Sequence, residues 1–150
     1  MEESVGAVLR RCTTTIIEDW LARAKQIKEL NRLLLSNAER AGHLPKLVDD
    51  LIVRLKARTT LKASRSISAV AHGEARYRQG YDPPMLVDES RILQVTIFQT
   101  LHSNLNALDF SVLLPDAATI ADEVDSQLTQ SVATCMKLMK LNVATTLAVS

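Results

Sequence analysis

Turn-forming and aromatic residues are scarce in this 150-residue chain. It has four glycines, four prolines, one tryptophan, two tyrosines and two phenylalanines. So few turn formers argue against an all-β sandwich, which needs many tight turns. The sequence therefore predicts a protein built from long helices with few breaks between them.

Charge, cysteine content and hydrophobic runs exclude further classes. The formal net charge is only +1, whereas a general nucleic-acid binder usually carries a large basic excess. Cys12 and Cys135 are too few for a disulfide framework and fit a reducing compartment. We find no continuous apolar run of the ~18 residues that a membrane span needs, and no leader. These features predict a cytoplasmic protein with neither a nucleic-acid nor a membrane partner.

The motifs of common active sites are missing as well. The sequence has no Gly-rich phosphate loop, no Cys-x-x-Cys and no His-Glu-x-x-His. His43, His72 and His102 stand apart in the sequence, with no pair at helical ligand spacing, so we expect no metal site. Cys12 and Cys135 fall on the apolar stripes of their predicted helices and are interpreted as core residues rather than nucleophiles. We expect that the chain is not an enzyme.

Apolar residues recur at steps of three and four, which is typical of amphipathic helices. The spacing predicts an all-α fold, a single domain over residues 1–150 with five to six helices around one core. The principal predicted helices run from Ser4 to Lys28, from Pro45 to a fading end at Thr59 and Thr60, from Ser66 to Gln79, from Pro83 to Leu105, and from Pro115 almost to Ser150.

Local signals mark several helix ends. Gly80 is a natural left-handed stop, after which Asp82 is expected to cap the next helix and Pro83 to open it. Ser36 is a plausible cap for a short helical turn. The three threonines at 13–15 are poor helix formers and predict a bend or local fraying in the first helix.

One group of polar residues stands out. His72, Arg76 and Gln79 are spaced four and three apart, so they share one helix face. Glu89 and Arg91 follow in the next helix, which an antiparallel arrangement would bring beside Arg76. One interpretation is a structural polar network or a solvated face. The other is an input site, where His72 and Arg76 sense an anion, a proton or a partner.

The same region resembles a known family. Residues 72–81 read HGEARYRQGY and residues 86–93 read LVDESRIL. This resembles the N-terminal sensor domain of RsbRD-type stressosome co-antagonists, which also precedes many bacterial sensor histidine kinases. The family pattern is a His, a small residue, an Arg four beyond the His, then Gln-Gly-aromatic and Leu-Val-x-Glu-x-Arg-x-Leu. The sequence departs from it at Ser90, where an aromatic is common, and at Gln94, where kinase-linked members often carry Arg.

The resemblance implies a fold and a function. Related stressosome sensors are similar to globins but carry no haem, and they are dimers whose conformation is passed on through a C-terminal helix. It therefore implies a non-catalytic, homodimeric sensor domain in bacterial stress-response signalling, with protein partners and an attached histidine kinase or other output domain. We expect a globin-like arrangement without haem or another cofactor, with an up-down four-helix bundle as the alternative.

The last predicted helix has the features that such transmission would need. Its apolar stripe persists almost to the end of the sequence, and no helix terminator is visible. We expect this helix to continue into a longer signalling protein. The candidate dimer and transmission residues are Val132, Met136, Met139, Val143 and Leu147.

Two other functions stay open at this point. One is a helical bundle that binds a small molecule in a pocket near Arg76 and Arg91. The other is a protein-interaction adaptor without any ligand. The sequence does not separate an adaptor from a sensor.

Overall fold

The computed structural model describes residues 2–57 and 65–149, which form eight α-helices. The described residues include no β-strand, and a single isolated bridge joins Glu3 to Leu108. The all-α prediction is confirmed, and five of the helices have twelve or more residues. The helices are α1 (Val5–Arg11), α2 (Thr13–Ala24), α3 (Lys28–Asn31), α4 (Asn37–Ala41), α5 (Leu44–Ala57), α6 (Ile67–Arg78), α7 (Pro83–Ser103) and α8 (Leu113–Val149).

Most predicted helix ends are confirmed by their local geometry. The Asp82 side chain accepts a hydrogen bond from the Met85 backbone N–H at 3.0 Å, and Gly80 has φ +98°. Ser36 caps α4 in a reciprocal capping box with Glu39. These helix ends can be predicted from the sequence because each depends on a few neighbouring residues rather than on tertiary contacts.

The first predicted helix was wrong as a continuous element. It divides at Cys12 into α1 and α2, and α2 ends at Ala24 rather than Lys28. The bend comes directly before the three threonines, where the Thr13 hydroxyl donates to the Leu9 carbonyl at 2.9 Å. Cys12 is half-buried at this bend, whereas Cys135 is fully buried. The predicted fading of α5 at Thr59 and Thr60 lies outside the described residues.

The hydrophobic core forms where α5, α6 and α7 pack against α8, while α1 and α2 pack against α5 and α7. The most extensive helix contact joins α6 to α8, while α7 packs against both α2 and α8. Trp20 is fully buried, and its indole N–H donates to the backbone carbonyl of Glu89 at 3.0 Å. The apolar stripe of α5 is buried throughout, at Leu44, Leu47, Val48, Leu51, Ile52 and Leu55.

The last helix, α8, has an N-terminal part with buried residues and an exposed C-terminal part. α8 begins at Leu113, two residues before the predicted Pro115, and its 37 residues correspond to about 55 Å. Its last fully buried residue is Cys135, and every residue from 139 to 149 is exposed. The predicted apolar stripe is therefore part core and part surface.

One helix of the described residues is long and apolar enough to cross a membrane, by length and composition alone. The helical stretch Phe110–Val149 includes an 18-residue window with mean hydropathy 1.2 and at most two charged residues, only 6% of it buried within the protein. Polar residues interrupt this window, so the sequence shows no continuous apolar run of that length. Core helices of water-soluble proteins also reach this threshold, which makes the signal weak.

Candidate functional site

A buried ion-pair cluster lies where α6 meets α7. Glu89 accepts a hydrogen bond from Nε2 of His72, and its Oε2 lies 3.1 Å from Nε of Arg76. All three residues are at most 3% exposed. The sequence prediction that Glu89 would meet Arg76 across the tight turn is confirmed, with His72 as the third member.

Arg76 connects this cluster to the short helix α4. Its Nη1 donates to the Gln79 side-chain oxygen at 2.8 Å and to the Glu39 backbone carbonyl at 3.0 Å. Its Nη2 donates to the Arg40 backbone carbonyl. The guanidinium also lies 4.7 Å from the centre of the Tyr81 ring, a cation–π distance. The guanidinium thus contacts the Glu89 carboxylate, three further oxygen atoms and the Tyr81 ring.

The charges inside the cluster stabilise the ionised form of Glu89. Burial by itself would raise the pKa of Glu89, but the charges of His72 and Arg76 and their hydrogen bonds lower it below its usual range. Glu89 is therefore ionised in the folded protein and balances the Arg76 charge. Burial and the charge of Glu89 raise the pKa of the Tyr81 phenol, which keeps that ring neutral.

Arg91 does not belong to this site, and its inclusion was wrong. Its side chain is 69% exposed and lies 3.6 Å from Asp88, one turn earlier in α7. Glu89 and Arg91 are two residues apart, which places them on opposite sides of a helix. Arg76 and Arg91 therefore do not line one site.

Two further residues belong to the cluster although the sequence did not single them out. Arg40 is 4% exposed and donates to the carbonyls of Leu30 and Leu33 at 2.8 and 2.9 Å. The His43 ring packs edge-on against His72, with 5.9 Å between ring centres. Arg40 lies in α4 and His43 in the turn between α4 and α5, and the only sequence signal for this segment was the cap at Ser36.

A cleft opens between His72 and α8. It is lined mainly by leucines of α5 and α7, together with His72, Glu89, Ser90, Gln127, Leu128 and Ser131. Its volume of about 20 Å³ leaves room for roughly one water molecule. The Nδ1 atom of His72 is buried without a hydrogen-bond partner among the described residues.

Polar contacts tie α8 to this region. The Ser131 hydroxyl donates to the Ala69 carbonyl at 2.8 Å. The Gln127 amide donates to the Leu47 carbonyl at 3.0 Å and to Glu123 at 2.9 Å. Sequence reasoning missed these residues, although Glu123, Gln127 and Ser131 recur every four residues beside the apolar stripe. That polar spacing was the available signal.

The predicted transmission residues do not share one environment. Val132 is half-buried and packs against the core, whereas the other four are between 39% and 70% exposed. The exposed members are Met136, Met139, Val143 and Leu147.

Comparisons with other proteins leave the chain without an assigned relative. No protein-family model, curated protein or solved structure matches it. Within residues 2–57 and 65–149, no group of three or more His, Cys, Asp or Glu side chains could hold a metal ion.

Proposed function

We propose that the chain is a non-catalytic sensor or regulatory domain of a bacterial signalling protein, of the histidine kinase or stressosome type. Its input would be received in the helical body and passed to an output domain through α8. The observation that carries the proposal is the division of α8 into a buried part and an exposed, mostly apolar part. A continuous helix suits this task because it moves as a rigid element.

The contact between α6 and α8 supports a mechanical link. α6 carries His72 and Arg76 of the buried cluster, and its Ala69 carbonyl accepts the Ser131 hydroxyl of α8. A shift at the cluster would therefore act directly on α8. The same helix then leaves the body at about Cys135 and carries the shift outward.

The exposed part of α8 is also the proposed homodimer interface. Met136, Met139 and Val143 are 39–57% exposed and follow one another at steps of three and four, which places them on one narrow helix face. A second copy of the chain would remove this face from water. Other protein partners would act through the output domain.

The dimer is tested with one charged substitution on that face. Val143→Asp is expected to convert a dimer into a monomer at low micromolar concentration, because it places a carboxylate in an apolar contact. Thr145→Asp is the matched control, since Thr145 lies about 200° further around the helix and should leave the dimer intact. Sedimentation equilibrium measures both, and a wild-type monomer or a dimeric Val143→Asp variant would contradict the interface.

The signalling role is tested separately from the dimer, by measuring kinase activity. With the chain fused to a histidine kinase core, Gly73→Ala is expected to change autophosphorylation, because it alters the α6–α8 contact. Gly6→Ala, in α1, provides a control away from that contact. Equal kinase activity in the wild type and in a folded Gly73→Ala fusion would count against transmission through α8.

A further inference from the structure

We propose that the end of α8, residues 141–149, inserts into a lipid leaflet with anionic headgroups. This role lies beyond the sensor function proposed above, and it uses sides of the helix that the proposed dimer face leaves open. Leu141 lies about 200° from Val143 around the helix axis. A second copy of the chain on the Val143 side would therefore leave the Leu141 side exposed to its surroundings.

The exposed part of α8 carries apolar side chains on more than one side. Leu141 is 54% exposed on the side away from the dimer face, and Leu147 and Val149, further along, are 70% and 83% exposed. Residues 141–149 include no charged residue. A helix that is apolar around most of its circumference belongs in a protein core or in lipid.

The hydropathy of this region is not explained by burial in the folded body. The 18-residue window of mean hydropathy 1.2 is only 6% buried, and every residue from 139 to 149 is exposed. A core helix of a water-soluble protein reaches the same hydropathy, but its neighbours cover it. Insertion into a leaflet would remove these side chains from water.

The polar residues of the segment are suited to an apolar environment. The Thr145 hydroxyl donates to the Leu141 carbonyl, and the Thr146 hydroxyl donates to the Asn142 carbonyl, both at 2.9 Å. A hydroxyl group that is satisfied within its own helix needs no water. Asn142 lies two residues beyond Lys140, close to the level of the headgroups. The sequence predicted no membrane partner because polar residues interrupt the apolar run, and these hydrogen bonds remove that objection for the threonines.

Two lysines mark the point where the helix would enter the leaflet. Lys137 and Lys140 are the only charged residues after Asp125, and both are exposed. A lysine keeps its ammonium group among headgroups while its stem lies along apolar surface. Each lysine at an anionic surface strengthens binding roughly fivefold. Residues 141–149 extend for about 13 Å, close to half of the ~30 Å hydrocarbon core, so the segment matches one leaflet.

Vesicle binding by the whole chain tests the insertion. We expect the wild type to co-sediment with sucrose-loaded vesicles of equal parts phosphatidylglycerol and phosphatidylcholine. Leu141→Asp should weaken binding at least about tenfold, because a carboxylate in hydrocarbon is costly. Val53→Asp adds the same charge to α5, at a position that is 56% exposed, and should bind like the wild type. Absence of wild-type binding, or an equal loss in both variants, would overturn the insertion.

The entry point is tested by removing the two lysine charges. The double variant Lys137→Gln/Lys140→Gln should bind the same vesicles roughly tenfold or more weakly than the wild type. Lys25→Gln/Lys28→Gln is the matched control, since both lysines are exposed in the body, and it should keep wild-type binding. Equal losses in the two double variants would show attraction by net charge alone and overturn the entry point.

Insertion is separated from surface adsorption by the fluorescence of Val149→Trp. Lipids brominated on their acyl chains should quench this tryptophan but not that of Thr129→Trp, an exposed position on the body part of α8. Trp20 is fully buried and gives a constant background. Vesicle binding without quenching of Val149→Trp would overturn the insertion.

The competing occupant of this side is a second copy of the chain. If Leu141→Asp lowers the mass of the protein in sedimentation equilibrium without vesicles, the Leu141 side binds protein and the lipid proposal fails. The dimer through the Val143 side is measured in the absence of vesicles. Its failure is therefore distinguishable from failure of lipid insertion.

Discussion

The backbones of Gly73 and Ser131 approach so closely that a Cβ atom on Gly73 would lie 2.5 Å from the Ser131 carbonyl oxygen. The neighbouring Cα and C atoms of Ser131 would be 3.0 and 3.1 Å away. This contact sets the distance between α6 and α8, because only glycine leaves room for the opposing backbone. The residue that follows His72 in the sequence is therefore the point where α6, which carries the cluster, touches α8.

Gly73→Ala is expected to destabilise the protein by about 1–3 kcal/mol, the usual cost of overpacking a core. Gly6→Ala is the control, since its Cβ would meet Lys56 Cγ at an ordinary 3.5 Å and alanine favours a helix by about 0.5–1 kcal/mol. Urea unfolding measures the free energy of both variants. A Gly73→Ala variant as stable as the wild type would mean that α8 moves away without cost.

Arg76→Ala is expected to cost about 3–5 kcal/mol, because it breaks a buried ion pair with Glu89. Arg91→Ala should change stability by less than about 0.5 kcal/mol, since that side chain is exposed. Thermal and urea unfolding compare the two variants. Similar losses at both positions would contradict the separation of Arg91 from the cluster.

The lowered pKa of Glu89 predicts a loss of stability in acid. A carboxylate with a depressed pKa in the folded state contributes stability that is present above its unfolded pKa, near 4.5, and is lost as the pH falls through the folded value. Glu89→Gln should therefore flatten the fall in unfolding free energy below about pH 4.5. Asp88→Asn is the neighbouring control and should keep the wild-type slope in the same measurement.

The lowered pKa of His43 predicts a second pH dependence of stability, at a higher pH than that of Glu89. Burial, followed by the charges of His72, Lys46 and Arg76, lowers the pKa of His43 below 6.5. The unfolded chain then takes up the proton first, so stability should fall as the pH drops below about 6.5. His43→Gln should reduce this slope, whereas His102→Gln, at an exposed position, should not. Identical profiles for the wild type and His43→Gln would refute the assignment.

The polar cluster shows which part of the site can be predicted from residue spacing along a helix. His72, Arg76 and Gln79 were placed on one face because they lie within two turns of one helix, and the Gly80 and Asp82 signals correctly indicated a tight turn towards Glu89. Arg91 was misplaced because two residues of separation turn it to the other side of α7. The family resemblance, the globin-like arrangement and the dimer stay predictions.

The sequence by itself determined the all-α class, the caps at Ser36 and Asp82, the stop at Gly80 and the buried face of α5. These features depend on neighbouring residues and on helical periodicity, which are local. Tertiary structure alone decided that Arg40 and His43 join the cluster, that Gly73 meets Ser131, and that the α8 stripe leaves the core after Cys135. Such contacts join segments far apart in the chain, and periodicity does not specify which faces meet.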